Sequence, residues 1–141
     1  MNTVSDGVYP REDLYGRSND MVLSGALSFL RRKYTRDLTG VDVAVTGIPF
    51  DSATSNCPGA RFGPCGIRGA STEVASLDDF PFNFNPFDHL SVEDYGDVWL
   101  DYGYPEILVE NVEKHADTIL KQGISLLSFG VDHCVNYPLL R

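Results

Sequence analysis

The chain of 141 residues carries 20 acidic side chains against 11 basic ones, a formal charge of −9, with 43% hydrophobic and 22% charged residues. That length suits one globular domain, and the acidity repels phosphates and anionic lipid and favours cationic small molecules, so no nucleic-acid partner and no membrane partner is expected. Its apolar stretches are too short to cross a bilayer and residues 1–16 lack the basic start and apolar block of a leader, so a cytoplasmic protein is expected.

Residues 1–20 have no periodicity and mix Gly, Pro, Asn and both charges, which predicts an irregular arm ahead of a domain over 21–141. Val22, Leu23, Ala26, Leu27, Phe29 and Leu30 recur at helical spacing behind the candidate caps Ser18, Asn19 and Asp20, so a first helix is expected over 20–33. Residues 41–48 are short, β-branched and closed by Gly47 and Pro49, the pattern of a buried strand. A long loop follows over 50–63, rich in Asp, Ser, Thr, Asn, Pro and Gly that bond their own backbone. Gly63-Pro64 then opens a helix to about residue 76, with Pro64 suited to its first position.

A second loop over 78–89 is expected to pack aromatic groups, Phe80, Phe82, Phe84 and Phe87, against the body or an interface. Residues 90–98 suggest a second strand ending near Gly96-Asp97. Between 104 and 122, Ile107, Leu108, Val112, Ala116, Ile119 and Leu120 mark one helical face, and His115 among Glu and Lys reads as solvated. Residues 124–129 are apolar without alternation, as in the middle of a parallel sheet covered on both faces. Alternating strands and helices predict an α/β fold with a parallel sheet and right-handed crossovers, and three strands leave an edge for further chain to cover.

In such sheets ligands collect beyond the carboxyl ends of the strands, which is where Gly130-Val131-Asp132-His133 and the loop after Pro49 fall. Taken singly, His133 reads as a packing residue and Asp132 as a cap at least as readily as either reads as chemistry. Cys57, Cys65 and Cys134 are odd in number and have no C-x-x-C spacing, so free thiols in a reducing compartment are expected. No Gly-rich phosphate-binding motif opens a helix, which disfavours a nucleotide-binding domain.

Several separated segments together carry a resemblance. Gly47-Ile48-Pro49-Phe50-Asp51, Pro58-Gly59-Ala60-Arg61-Phe62-Gly63-Pro64 with Ile67-Arg68, Asp94-Tyr95-Gly96-Asp97, and Phe129-Gly130-Val131-Asp132-His133 followed by Pro138-Leu139-Leu140-Arg141 resemble the ureohydrolases, the arginase and agmatinase family, in that family's order. The agmatinase and guanidinobutyrase branch fits better than arginase. The resemblance implies a three-layer α/β/α fold, two manganese ions in the complete enzyme, and hydrolysis of a guanidino compound, agmatine or 4-guanidinobutyrate, to urea and an amine. It also implies a homo-oligomer, trimer or hexamer, and a place in polyamine metabolism. Guanidinium is a poor electrophile, so its hydrolysis at neutral pH needs hydroxide, which a metal pair generates from water.

By the same resemblance His133 matches the metal-binding histidine of the family's Gly-Gly-Asp-His turn, and Asp51, Thr54 and Asn56 lie in the loop bordering the substrate entrance. Local turn bonds are an equal reading for those three, and Arg61 and Arg68 are expected to anchor the loop. The family's Asp-Ala-His-x-Asp and Ser-x-Asp-x-Asp motifs, which supply the other ligands, do not occur in these residues. The chain therefore resembles the N-terminal part of an enzyme, expected to be inactive alone; the alternative is a non-catalytic truncated remnant or subunit-interaction module of the same fold.

Four residues depart from the family pattern. Val131 replaces its second glycine, where a β-branched side chain strains a backbone that needs positive φ, and Cys134 replaces the usual Ser. Cys57 and Cys65 stand where Arg is usual, removing a fixed charge and a planar donor fork from the loop.

Overall fold

A computed structural model describes residues 14, 25–75, 81, 83–130 and 132–141. The expected arm over 1–20, apart from Leu14, the N-cap candidates, Phe80, Phe82 and Val131 lie outside the described residues. Four strands, β1 Lys33–Tyr34, β2 Val43–Ile48, β3 Val92–Asp97 and β4 Ser125–Gly130, form one sheet in the order β1-β3-β2-β4, with every neighbouring pair parallel. The helices are α1 Gly63–Ser71, α2 Leu108–Leu120 and α3 Asn136–Leu140.

Consecutive strand residues point to opposite faces, and the two long helices use that. Ala44 and Tyr95 pack with Ile119 of α2, whereas Val45 and Val92 pack with Phe87 on the other face, where Arg68 of α1 reaches Asp94. The result is α/β, as expected. On α2 the buried stripe is Leu108, Val112, Ala116 and Ile119, while Leu120 turns outward. His115 lies beside that stripe and is not solvated: its Nε2 is 2.7 Å from Thr46 Oγ1 and its ring meets Tyr95 edge-on at 5.2 Å. Burial pushes its pKa down to about 4, with Arg36 adding to the effect.

The first helix is corrected over its described part. Residues 25–33 hold a single 3-10 turn, Phe29–Arg31, and then enter β1. Long-range partners outcompete the helical ladder here, because Phe29 N donates to Asp94 Oδ2 and Leu30 N to Ser71 Oγ, each at 2.8 Å. Leu30 and Arg31 accept positive φ, 47° and 56°, to make those bonds, and the Arg32 guanidinium lies 4.0 Å over the Phe87 ring. The sheet thereby gains a fourth strand.

α1 carries Pro64 in its first turn but stops before residue 76, since the amides of Thr72, Glu73 and Val74 bond three residues back. In the second loop Phe87 is buried and Phe84 is exposed. Among the described residues β4 bonds only to β2 and forms an edge where an interior strand is expected, and Leu127 is 41% exposed. β3 contains a bulge, for Val45 pairs with Asp94 and Thr46 with Gly96, which leaves Tyr95 without a partner on β2. Gly96 sits at φ +77° against Tyr34 Oη, where a Cβ would come within 2.3 Å. Among the described residues no helix is long and apolar enough to cross a membrane.

Candidate functional site

The loops leaving the carboxyl ends of β2, β3 and β4 are joined to one another by side chains. Asp51, just past β2, is buried and points back into its own loop. Its Oδ2 accepts from Gly59 N at 2.7 Å and Arg61 N at 3.2 Å, and its Oδ1 accepts from Arg61 Nε at 2.6 Å. Arg61 first, then those amides, hold the Asp51 carboxyl down at about 2, so it stays charged. Thr54 Oγ1 donates to Asp51 O at 2.9 Å, and Asn56 is exposed beside Cys57. Asp51 and Thr54 are thus spent on closing the loop, and only the Asn56 side chain faces solvent.

Two bonds carry the loop outward. Ala53 N donates to Asp132 Oδ2 at 3.1 Å, tying it to the turn after β4. Tyr102, in the loop after β3, donates to Pro49 O and lays its ring 4.4 Å from the Arg61 guanidinium carbon. Underneath, Arg68 bonds Asp94 through Nε and Nη2 and Asp97 through Nη1, at 2.7 to 2.9 Å. Burial opposes the Arg68 charge, and the Asp94 and Asp97 carboxylates overcome it, raising its pKa. Both arginines therefore anchor within the chain. Gly47 permits this packing, since a Cβ there would lie 2.1 Å from Asp97 Oδ1 and 2.7 Å from Pro64 Cβ.

Beyond β4, Asp132 caps the 3-10 turn His133–Val135 by accepting from Cys134 N at 3.1 Å. His133 opens that turn and is exposed. Burial and then the Asp132 carboxylate push the Cys134 thiol up to about 11, opposite to what a nucleophile needs. All three cysteines are free thiols. Among the described residues no group of three or more His, Cys, Asp or Glu side chains could hold a metal ion. Asp132 is committed to backbone amides and Asp51 to Arg61, so His133 is a single donor and the described residues do not close a manganese site.

The sequence left Tyr102, Thr46 and Glu93 unnoticed. Tyr102 carried a signal, because Asp101-Tyr102-Gly103 makes an Asx turn, with Gly103 N donating to Asp101 Oδ1 at 2.9 Å, and so presents the ring at a loop tip. His115 did too, being seven residues after Leu108 and four before Ile119 on the buried stripe.

A family model described as the arginase family matches residues 41–141. Agmatinase of Chromobacterium violaceum is 50% identical over 135 residues, which are 96% of this chain and 42% of that protein. The crystal structure of a hypothetical agmatinase from Burkholderia thailandensis superposes with a TM-score of 0.90 at 47% identity, covering 96% of this chain and 43% of that one. Proclavaminate amidino hydrolase from Streptomyces clavuligerus follows with a TM-score of 0.77 at 30% identity, covering 86% and 41%. The chain spans less than half the length of each of these relatives.

Proposed function

We propose, because this chain belongs to the arginase family, that it forms part of an agmatinase-type amidinohydrolase releasing urea and an amine from a guanidino compound. The observation that carries this reading is the likeness to an agmatinase at 50% identity across 96% of the chain. The chemistry of the carboxyl edge supports it: a braced loop borders an exposed imidazole at the strand ends, where an α/β sheet takes its ligands. In this proposal His133 is the donor this chain offers to manganese, two ions serving the whole enzyme, Asn56 faces the substrate entrance, and Thr54 helps close the loop that borders it. Asp51 acts there indirectly, by shaping the loop. The metal ions supply hydroxide when bound; the residues described here supply the walls.

Among guanidino substrates the charge of −9 favours agmatine, a dication at neutral pH, over 4-guanidinobutyrate, whose carboxylate cancels its guanidinium. A homo-oligomer, trimer or hexamer, in the cytoplasm completes the reading. The alternative is a non-catalytic module of the same fold.

A single assay decides between them. Full-length gene product, purified and supplemented with manganese, is expected to release urea from agmatine faster than from 4-guanidinobutyrate, and His133→Ala is expected to lower bound manganese and the rate together. A folded protein that releases urea from neither compound rejects the enzyme and leaves the module.

A further inference from the structure

Arg61 is held in an unusual way for a loop residue one-third exposed to solvent. The edge of its guanidinium is taken by Asp51, while its face lies 4.4 Å from the Tyr102 ring. Tyr102 belongs to a different loop, and its hydroxyl donates at the same time to Pro49 O, at the root of the loop that Arg61 closes. The tyrosine thus touches both ends of the 50–62 segment: its hydroxyl meets the start and its ring meets the finish. Its own backbone is fixed by the turn over 101–104, where Gly103 N and Tyr104 N bond the Asp101 side chain and carbonyl. That turn runs through Pro105–Ile107 into α2, so the clamp is mounted on a long helix packed against the sheet.

We infer that Tyr102 is a positioning residue: by clamping Arg61 and Pro49 it holds the 50–62 loop in the conformation that borders the substrate. This rests on the agmatinase-type reading of the site. The ring does the greater part, because a flat π face accepts a guanidinium that is already edge-bonded, whereas the hydroxyl bond lies partly in water and is replaceable by it. Asp51 and Arg61 close the loop on itself; Tyr102 holds Arg61 in that closure and fixes where the loop sits relative to β3. Such a residue acts on the fraction of molecules whose loop is in place, and apparent substrate affinity scales with that fraction.

The experiment uses full-length enzyme with manganese. Tyr102→Ala is expected to raise KM for agmatine by about tenfold with kcat within about twofold, the outcome if the loop is in place roughly a tenth of the time. Tyr102→Phe keeps the ring and is expected to stay within about threefold of the parent in KM. Hydrogen exchange supplies a readout free of activity: the amides of Gly59 and Arg61 are expected to exchange faster in the Ala variant, with those of β2 unchanged. An unchanged KM in the Ala variant, a loss confined to kcat, or a Phe variant as impaired as Ala overturns the inference, as does unaltered exchange at Gly59 and Arg61. Should the parent enzyme release no urea, the function proposal fails while the exchange measurement still decides the clamp.

Discussion

Glu93 offers the sharpest test of the packing described above. It lies in β3 on the face covered by α2, is fully buried, and among the described residues neither of its carboxyl oxygens has a hydrogen-bond partner. Burial raises its pKa to about 8; Asp37 and Asp94 push it further up, and Lys33 and Arg36 pull it down. The folded chain therefore keeps a proton that the unfolded chain releases near pH 4.5, and stability falls as pH rises from there to about 8. His115 works in the opposite sense: folded, it refuses the proton that the unfolded chain takes up below 6.5, so its effect is stability lost as pH falls from 6.5 to about 4. The two slopes oppose each other below pH 6.5, which leaves the interval from there to pH 8 to Glu93. At about 1.4 kcal/mol per unit, that interval removes about 2 kcal/mol from the parent. Glu93→Gln keeps the shape and cannot ionise. Urea unfolding of the full-length protein at several pH values between 6.5 and 8 is expected to show the parent weakening by that amount and the variant holding level. A parent-to-variant difference that stays constant across the interval would refute the buried, protonated Glu93.

Two further substitutions probe the platform under the site. Gly47→Ala forces its methyl against Asp97 Oδ1 and Pro64, so a loss of about 1–3 kcal/mol is expected in urea unfolding; a neutral result would mean that the α1–β3 contact is looser than described. Arg68→Ala strands the buried Asp94 without its cation, and a loss of about 3–5 kcal/mol is expected in the same measurement, against a smaller one for Arg61, which is one-third exposed so that water can reach the site it leaves. Equal losses for the two arginines would contradict their difference in burial.

Much of this was legible because the signals were local. Pro64 marked a helix start, Gly123 a helix stop, and the apolar spacing of α2 named four of the residues that are buried. The described part of the expected first helix, residues 25–33, differs for the opposite reason: its apolar spacing is helical, yet the amides of Phe29 and Leu30 are claimed by Asp94 and Ser71 from distant parts of the chain. Composition cannot announce such partners. β4 reads as an interior strand because Leu126, Leu127 and Phe129 fall on both of its faces, but exposure depends on what lies beside it, and among the described residues β2 is its only neighbour. The candidate site was legible as positions more than as roles. The sequence marks Asp51 by its place after β2, while its commitment to Arg61 needs the three-dimensional arrangement to become visible.

The bulge at Tyr95 settles a matter of parity. Asp94 and Asp97 are three apart, an odd separation that in a regular pleat would send their side chains to opposite sides of the sheet. Inserting one uncounted residue makes the odd interval behave as an even one, and both carboxylates reach the same guanidinium, that of Arg68. A strand that kept these residues in register at Asp94 but lost the insertion would hand Asp97 to the α2 face and leave Arg68 with half its counter-charge.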